Sequence, residues 1–226
     1  IDAHSAAAGV ITRCEAFLDS IQGKVKSHKL QAASKDTKKI TPHLSLFAYH
    51  SRRTVYIPHM SDHAFALAGA FKYCGVDAEV LPESSKDAVD LGRKYVSGKE
   101  CYPCAVTTGD MIKKVMETDF IPDKSAFFMP SGSGPCRFGQ YNIFHRLVIK
   151  ELGFDNVPIF SPNQDESFYR HLGIIGKDFT IRSWKGIIAV ELLNKCLHET
   201  RPYEKKYGFT DSVYNDYLPR VYESIK

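Results

Sequence analysis

Thr54-Val55-Tyr56-Ile57-Pro58 and, further along, Asp77-Ala78-Glu79-Val80-Leu81-Pro82 are two short runs from which the architecture follows. Each is a short β-branched or apolar run closed by proline, the pattern of a strand that stops because proline cannot donate to a ladder. Between them Ala64 to Cys74 has helical periodicity, with Ser61 or Asp62 placed to cap its start and Gly75 to stop it. Strand, helix and strand follow one another within about thirty residues, which is a βαβ unit. Because its two strands run the same way, a parallel sheet is expected.

Downstream the alternation continues. Lys86 to Val96 reads as a helix ended before Gly98, and Val106 to Met116 as another. Ala126-Phe127-Phe128-Met129-Pro130 is a third strand whose continuous apolar run implies burial on both faces. A helix follows in which Phe138, Tyr141, Phe144, Leu147, Val148 and Leu152 form one stripe, and Val157-Pro158-Ile159-Phe160 is a fourth strand. Beyond Pro162 helices are expected at Glu166 to Leu172, Trp184 to His198 and Ser212 to Ile225. Upstream, Val10, Ile11, Cys14, Phe17, Leu18 and Ile21 mark an amphipathic helix over residues 6–22, and six lysines without apolar pattern make residues 24–42 a solvated connector. The expected organisation is an N-terminal helix and connector over 1–50, an α/β domain over 51–165 and a C-terminal helical extension over 166–226. The fold class is α/β, an open parallel sheet with flanking helices and helical extensions at both ends.

At 226 residues with 43% apolar content the chain can bury one sizeable core with a small satellite. A net charge of +4, with basic residues scattered along the chain, gives no electrostatic footprint for nucleic acid, and no such partner is expected. No apolar run reaches the roughly 20 residues of a membrane span, and no charged segment leads into a signal-like apolar stretch. A soluble, cytoplasmic protein is expected. The six cysteines fit that reducing compartment better than a disulfide framework. Cys14, Cys74 and Cys196 lie within or at the end of helical patterns and are expected to pack as small hydrophobes.

The other three cysteines sit in two turns rich in glycine and proline, each followed by a helical segment. They are Gly98-Lys99-Glu100-Cys101-Tyr102-Pro103-Cys104 and Ser131-Gly132-Ser133-Gly134-Pro135-Cys136-Arg137-Phe138-Gly139-Gln140-Tyr141. The element order puts both turns at one edge of the sheet, outside the carboxyl ends of its strands, where ligands bind in such folds. Helix N-termini there favour thiolates and an anionic group, and Gly132, Gly134 and Gly139 are expected to let backbone approach and offer N–H donors. An iron–sulfur cluster is the leading reading. Structural zinc is the first alternative and needs a fourth ligand: His145 lies down its helix, and His59 and His63 follow the first strand without a ligand pattern. A dithiol redox pair at Cys101 and Cys104 would leave Cys136 without a role. A phosphate cradle at Ser131 to Gly139 lacks the Lys-Ser/Thr ending of a P-loop. Three unliganded cysteines in fold turns is the plainest alternative.

Gly98 to Cys104 with Thr108-Gly109-Asp110 behind it, and Gly134-Pro135-Cys136-Arg137-Phe138-Gly139-Gln140-Tyr141, resemble the signature of the 2-hydroxyacyl-CoA dehydratase superfamily. That superfamily includes benzoyl-CoA reductase subunits, double-cubane cluster proteins and the C-terminal parts of large activase-related polypeptides. The likeness covers roughly Thr54 to Ser161 and is most specific in the second motif. It implies a Rossmann-like fold and a [4Fe-4S] cluster or double-cubane [8Fe-9S] cluster held by Cys101, Cys104 and Cys136. It further implies low-potential electrons from a separate ATP-hydrolysing activase, for reductive or dehydration chemistry. Complete dehydratase subunits are longer and carry a second α/β lobe, so pairing with such a lobe or with a second copy is expected. A non-catalytic electron-transfer or scaffold module within a larger protein is the alternative role.

Overall fold

β1 (Thr54–Ile57) lies inside a four-stranded parallel sheet in the computed structural model, which describes residues 53–165 and 168–226. The helix expected at 6–22, the connector at 24–42 and Cys14 lie outside the described residues. The βαβ unit is present. α1 (His63–Tyr73) ends at Cys74 and returns the chain to β2 (Ala78–Val80), which pairs in parallel with β1 so that Val55 faces Ala78. On its other side β1 pairs with β3 (Ser125–Phe128), Val55 facing Ala126, and β3 pairs with β5 (Ile159–Phe160), Phe127 facing Ile159.

The order β2-β1-β3-β5 means that the chain crosses from β1 to one side and then, by way of α2 (Lys86–Arg93) and α3 (Tyr102–Val115), returns to the other. Such a reversal opens a crevice outside the carboxyl ends of β1 and β3. Both faces of the sheet are covered, as the unbroken apolar run of β3 implies. Val55, Ile57, Phe128 and Phe160 point into one cluster, while Tyr56, Phe127, Met129 and Ile159 point into the other. Successive side chains on a strand face opposite ways, so one four-residue run serves two cores.

α1, α5 (Phe168–Gly173), α6 (Phe179–Thr200) and α7 (Phe209–Ile225) build the first face, through Phe71, Leu172, Phe179, Val190 and Ile225. α3 and α4 (Tyr141–Glu151) build the second, through Met111, Val115, Tyr141 and Ile149. The C-terminal helices therefore pack on the face opposite the cysteine turns. Tyr214 of α7 donates its hydroxyl to the Asp62 carboxylate at 2.5 Å. Asp62 holds the capping position of α1 without making a capping bond, because its carboxylate is engaged by Tyr214 and by His59 at 3.0 Å.

Some element ends differ from expectation. α2 stops at Arg93, short of Val96, and α3 starts at Tyr102, earlier than its apolar periodicity, because Cys101 and Pro103 form an extended cap and a first turn. Past Pro130 and Pro162 the chain resumes parallel pairing between β4 (Ser131–Gly132) and β6 (Asn163–Gln164), a two-stranded extension too short to show in the pattern. Cys74 packs against the first core, whereas Cys196, expected to be buried, is exposed. The inner face of α6 is Phe179, Ser183, Gly186, Val190 and Leu197, and Cys196 stands about 100° round the helix from Leu197. Among the described residues no helix is long and apolar enough to cross a membrane.

Candidate metal centre

α3 is held where it is by a backbone-to-backbone crossing with α2. A Cβ on Gly92 would stand 1.9 Å from the Ala105 carbonyl oxygen, and one on Gly109 would stand 1.7 Å from that of Ala88. Only two glycines facing each other permit this approach, and the pairing of 88 with 109 and 92 with 105 makes the helices antiparallel. The crossing presents the N-terminus of α3 at the carboxyl edge of the sheet. Cys101 is the N-cap, in extended conformation, but its thiol does not cap the helix; it meets the Tyr141 hydroxyl at 2.7 Å. Cys104, in the first turn, is buried at 3% exposure.

The second turn leaves β3 through β4. Cys136 is also extended and precedes a 3-10 turn, Arg137–Gln140, that runs into α4. Ser131 donates its hydroxyl to the Gly139 carbonyl at 3.0 Å, and a Cβ on Gly139 would meet the Gly132 oxygen at 2.2 Å, so this turn needs glycine there. Gly134, expected to serve a close approach as well, has open space around it. Arg137 donates from Nη1 to the Lys99 carbonyl and so ties the second cysteine turn to the first.

The two turns meet at one phenol. The Tyr141 hydroxyl is held far above its ordinary pKa, first by burial, then by its bond to Cys101, and further by the charges that Cys101, Cys104 and Cys136 would carry. Of the three thiols, Cys101 touches the phenol directly, and Cys104 and Cys136 act on it only through their charge. Burial pushes the Cys104 thiol up to about 11, with the neighbouring Cys101 adding to the rise. Exposure grades across the set: Cys104 is buried, Cys101 half-buried and Cys136 exposed. Among the described residues no three His, Cys, Asp or Glu side chains stand close enough to hold a single metal ion.

His145, expected to lie away from the cysteine turns down its helix, is part of this neighbourhood. It follows Tyr141 by one helical turn on the same face of α4, and its Nε2 lies 3.1 Å from Thr107 Oγ1 on α3. The Thr107 hydroxyl points at the carbonyls of Pro103 (2.9 Å) and Cys104 (3.2 Å), so it accepts from an Nε2–H of a neutral ring. At 1% exposure, burial lowers the imidazole pKa to about 4, and Nδ1 has no partner. The i, i+4 spacing of Tyr141 and His145 was the sequence signal for this pair.

His59 and His63, weighed as zinc ligands, go to a separate polar network at the end of β1. His59 meets Asp62, and His63 has Nδ1 at 3.0 Å from Ser61 Oγ and Nε2 at 2.8 Å from Glu191 Oε1, the latter off the direction of a hydrogen bond. Asp110, in the α3 motif, is buried and accepts from Ser84 Oγ at 2.6 Å; burial raises its pKa against that bond.

The architecture defines the class: an α/β protein with a parallel sheet and two cysteine-bearing turns joined by Tyr141 and Arg137. Comparison with known proteins gives no matching family model, no matching curated protein and no matching solved structure.

Proposed function

We propose that the chain is an iron–sulfur protein with a Rossmann-like sheet, related to the 2-hydroxyacyl-CoA dehydratases, in which Cys101, Cys104 and Cys136 hold a [4Fe-4S] or double-cubane [8Fe-9S] cluster. The observation that carries this reading is the joining of two cysteine turns far apart in sequence: Cys101 meets the hydroxyl of Tyr141, which closes the turn of Cys136, and Arg137 bonds the Lys99 carbonyl beside Cys101. The donor set fits the group: soft thiolates, presented by helix and 3-10 N-termini, at the sheet edge where ligands of such folds bind.

Bound there and held by Cys101, Cys104 and Cys136, such a cluster would supply low-potential electron transfer. The chain's residues do the rest. Tyr141, kept protonated, donates to the Cys101 sulfur and damps its negative charge. Cys104 brings the buried side of the site out of water, and the exposed Cys136 gives a separate ATP-hydrolysing activase a short path for its electron. Arg137 keeps the two turns together while the thiols deprotonate.

Anaerobic reconstitution followed by iron and sulfide counts and low-temperature EPR tests the assignment. Near-stoichiometric cubane iron is expected, with most of it lost in Cys136→Ser. Full iron retention in that variant, or stoichiometric zinc in protein purified from cells, would refute it.

A further inference from the structure

On the face of the sheet opposite the cysteines there is a cavity of about 510 Å3. Phe128 and Pro130 at the end of β3 form its floor, Phe168 and Leu172 of α5 one wall, and Trp184 and Ile187 of α6 another. Its size falls within the range of small-molecule sites. Among the described residues the lining includes no charged side chain. Inside the apolar wall stands Ser183, 5% exposed, whose hydroxyl has no hydrogen-bond partner. A buried hydroxyl left unpaired is costly, and native proteins leave few of them. Gln164 supplies a second polar group at the end of β6, on the strand paired with Gly132.

We propose that this cavity is a binding site for a small neutral molecule, an aromatic ring or compact hydrocarbon carrying one hydroxyl or carbonyl that bonds to Ser183. A carboxylate or phosphate ligand is disfavoured, because its charge would enter an apolar wall with no cation to meet it among the described lining residues. The ring fits a lining rich in aromatic side chains, and the single polar group answers the single orphan hydroxyl. The site borders the second cysteine turn only through Gln164, whose strand pairs with Gly132, and stands whether or not iron is bound.

Trp184, the chain's one tryptophan, is 63% exposed at the cavity rim and reports on occupancy. The test titrates the full chain with para-fluorobenzyl alcohol and with its near-isostere para-fluoroethylbenzene, following fluorine NMR line width and Trp184 emission. The alcohol should bind about tenfold tighter than the hydrocarbon, the worth of one good hydrogen bond. Ser183→Ala, which keeps the fold by removing an unpaired group, should erase that preference while leaving hydrocarbon binding intact. Thr180→Phe, which fills the cavity from its half-buried rim, should abolish both. Equal affinities of the two probes for the wild-type chain, or binding undiminished in Thr180→Phe, would overturn the proposal. So would Trp184 found shielded in a self-association that sedimentation detects and Trp184→Ala abolishes, with no probe bound.

Discussion

Replacing Gly109 by alanine is the sharpest test of how α3, and with it Cys101 and Cys104, is held. The added methyl would stand 1.7 Å from the Ala88 oxygen and 2.5 Å from its carbonyl carbon. An ordinary contact needs about 3.4 Å, so α2 and α3 must part by roughly 1.5 Å, enough to forfeit a large share of the van der Waals attraction along their seam. Overpacking of this kind costs about 1–3 kcal/mol and occasionally more, and here backbone, which cannot rotate away, is the obstacle. Against it stands the better helix propensity of alanine, worth about 1 kcal/mol. We expect a net loss of about 2 kcal/mol, read as a lower urea midpoint with unchanged slope. Gly173→Ala, at a glycine with open space around it, is the control and should be neutral or slightly stabilising. Gly92→Ala should behave like Gly109→Ala, and the double variant should cost less than the sum, since helices once parted admit the second methyl more easily. A Gly109→Ala protein as stable as wild type would mean that the two helices do not cross backbone to backbone.

Three further outcomes follow from the same geometry. His145, neutral with a pKa lowered to about 4, stays unprotonated while the unfolded chain takes up a proton below about 6.5, so stability of the iron-free protein should fall between pH 6.5 and 4, by on the order of 3 kcal/mol. His145→Leu should flatten that part of a urea-midpoint profile, and identical slopes for the two proteins would remove His145 as the cause. In iron-free protein, Cys136 and Cys196 should alkylate first and Cys104 last, because a thiol pushed from 9.0 to about 11 is ionised about a hundredfold less at neutral pH and is also buried; peptide mapping that finds Cys104 modified alongside Cys136 would contradict this. Cys74→Ala should cost about 1 kcal/mol through lost packing on the first core, and Cys196→Ala should change stability by less than about 0.5 kcal/mol. A clear loss in the Cys196 variant would show that this exposed thiol is structural.

How much could be read from the chain alone depended on how local the physics was. The βαβ unit, the parallel sheet and the burial of β3 on both faces follow from periodicity, proline punctuation and composition within a few residues, and those signals survive folding because nothing distant has to correct them. The choice of Cys101, Cys104 and Cys136 over the other cysteines came the same way, from turn chemistry beside helix starts. What tertiary structure decided is which of these local pieces meet. That Tyr141 meets the Cys101 thiol, that Arg137 reaches Lys99, and that His145 leans on Thr107 are contacts across about forty residues, set by how α3 and α4 share one face of the sheet. The exposure of Cys196 turned on the angle at which α6 packs, and a one-residue step in a helix, about 100°, is finer than a stripe of apolar residues defines. Gly109 read as a motif residue in sequence and Gly92 carried no signal there, and only the packed helices reveal the two as the point where two backbones touch.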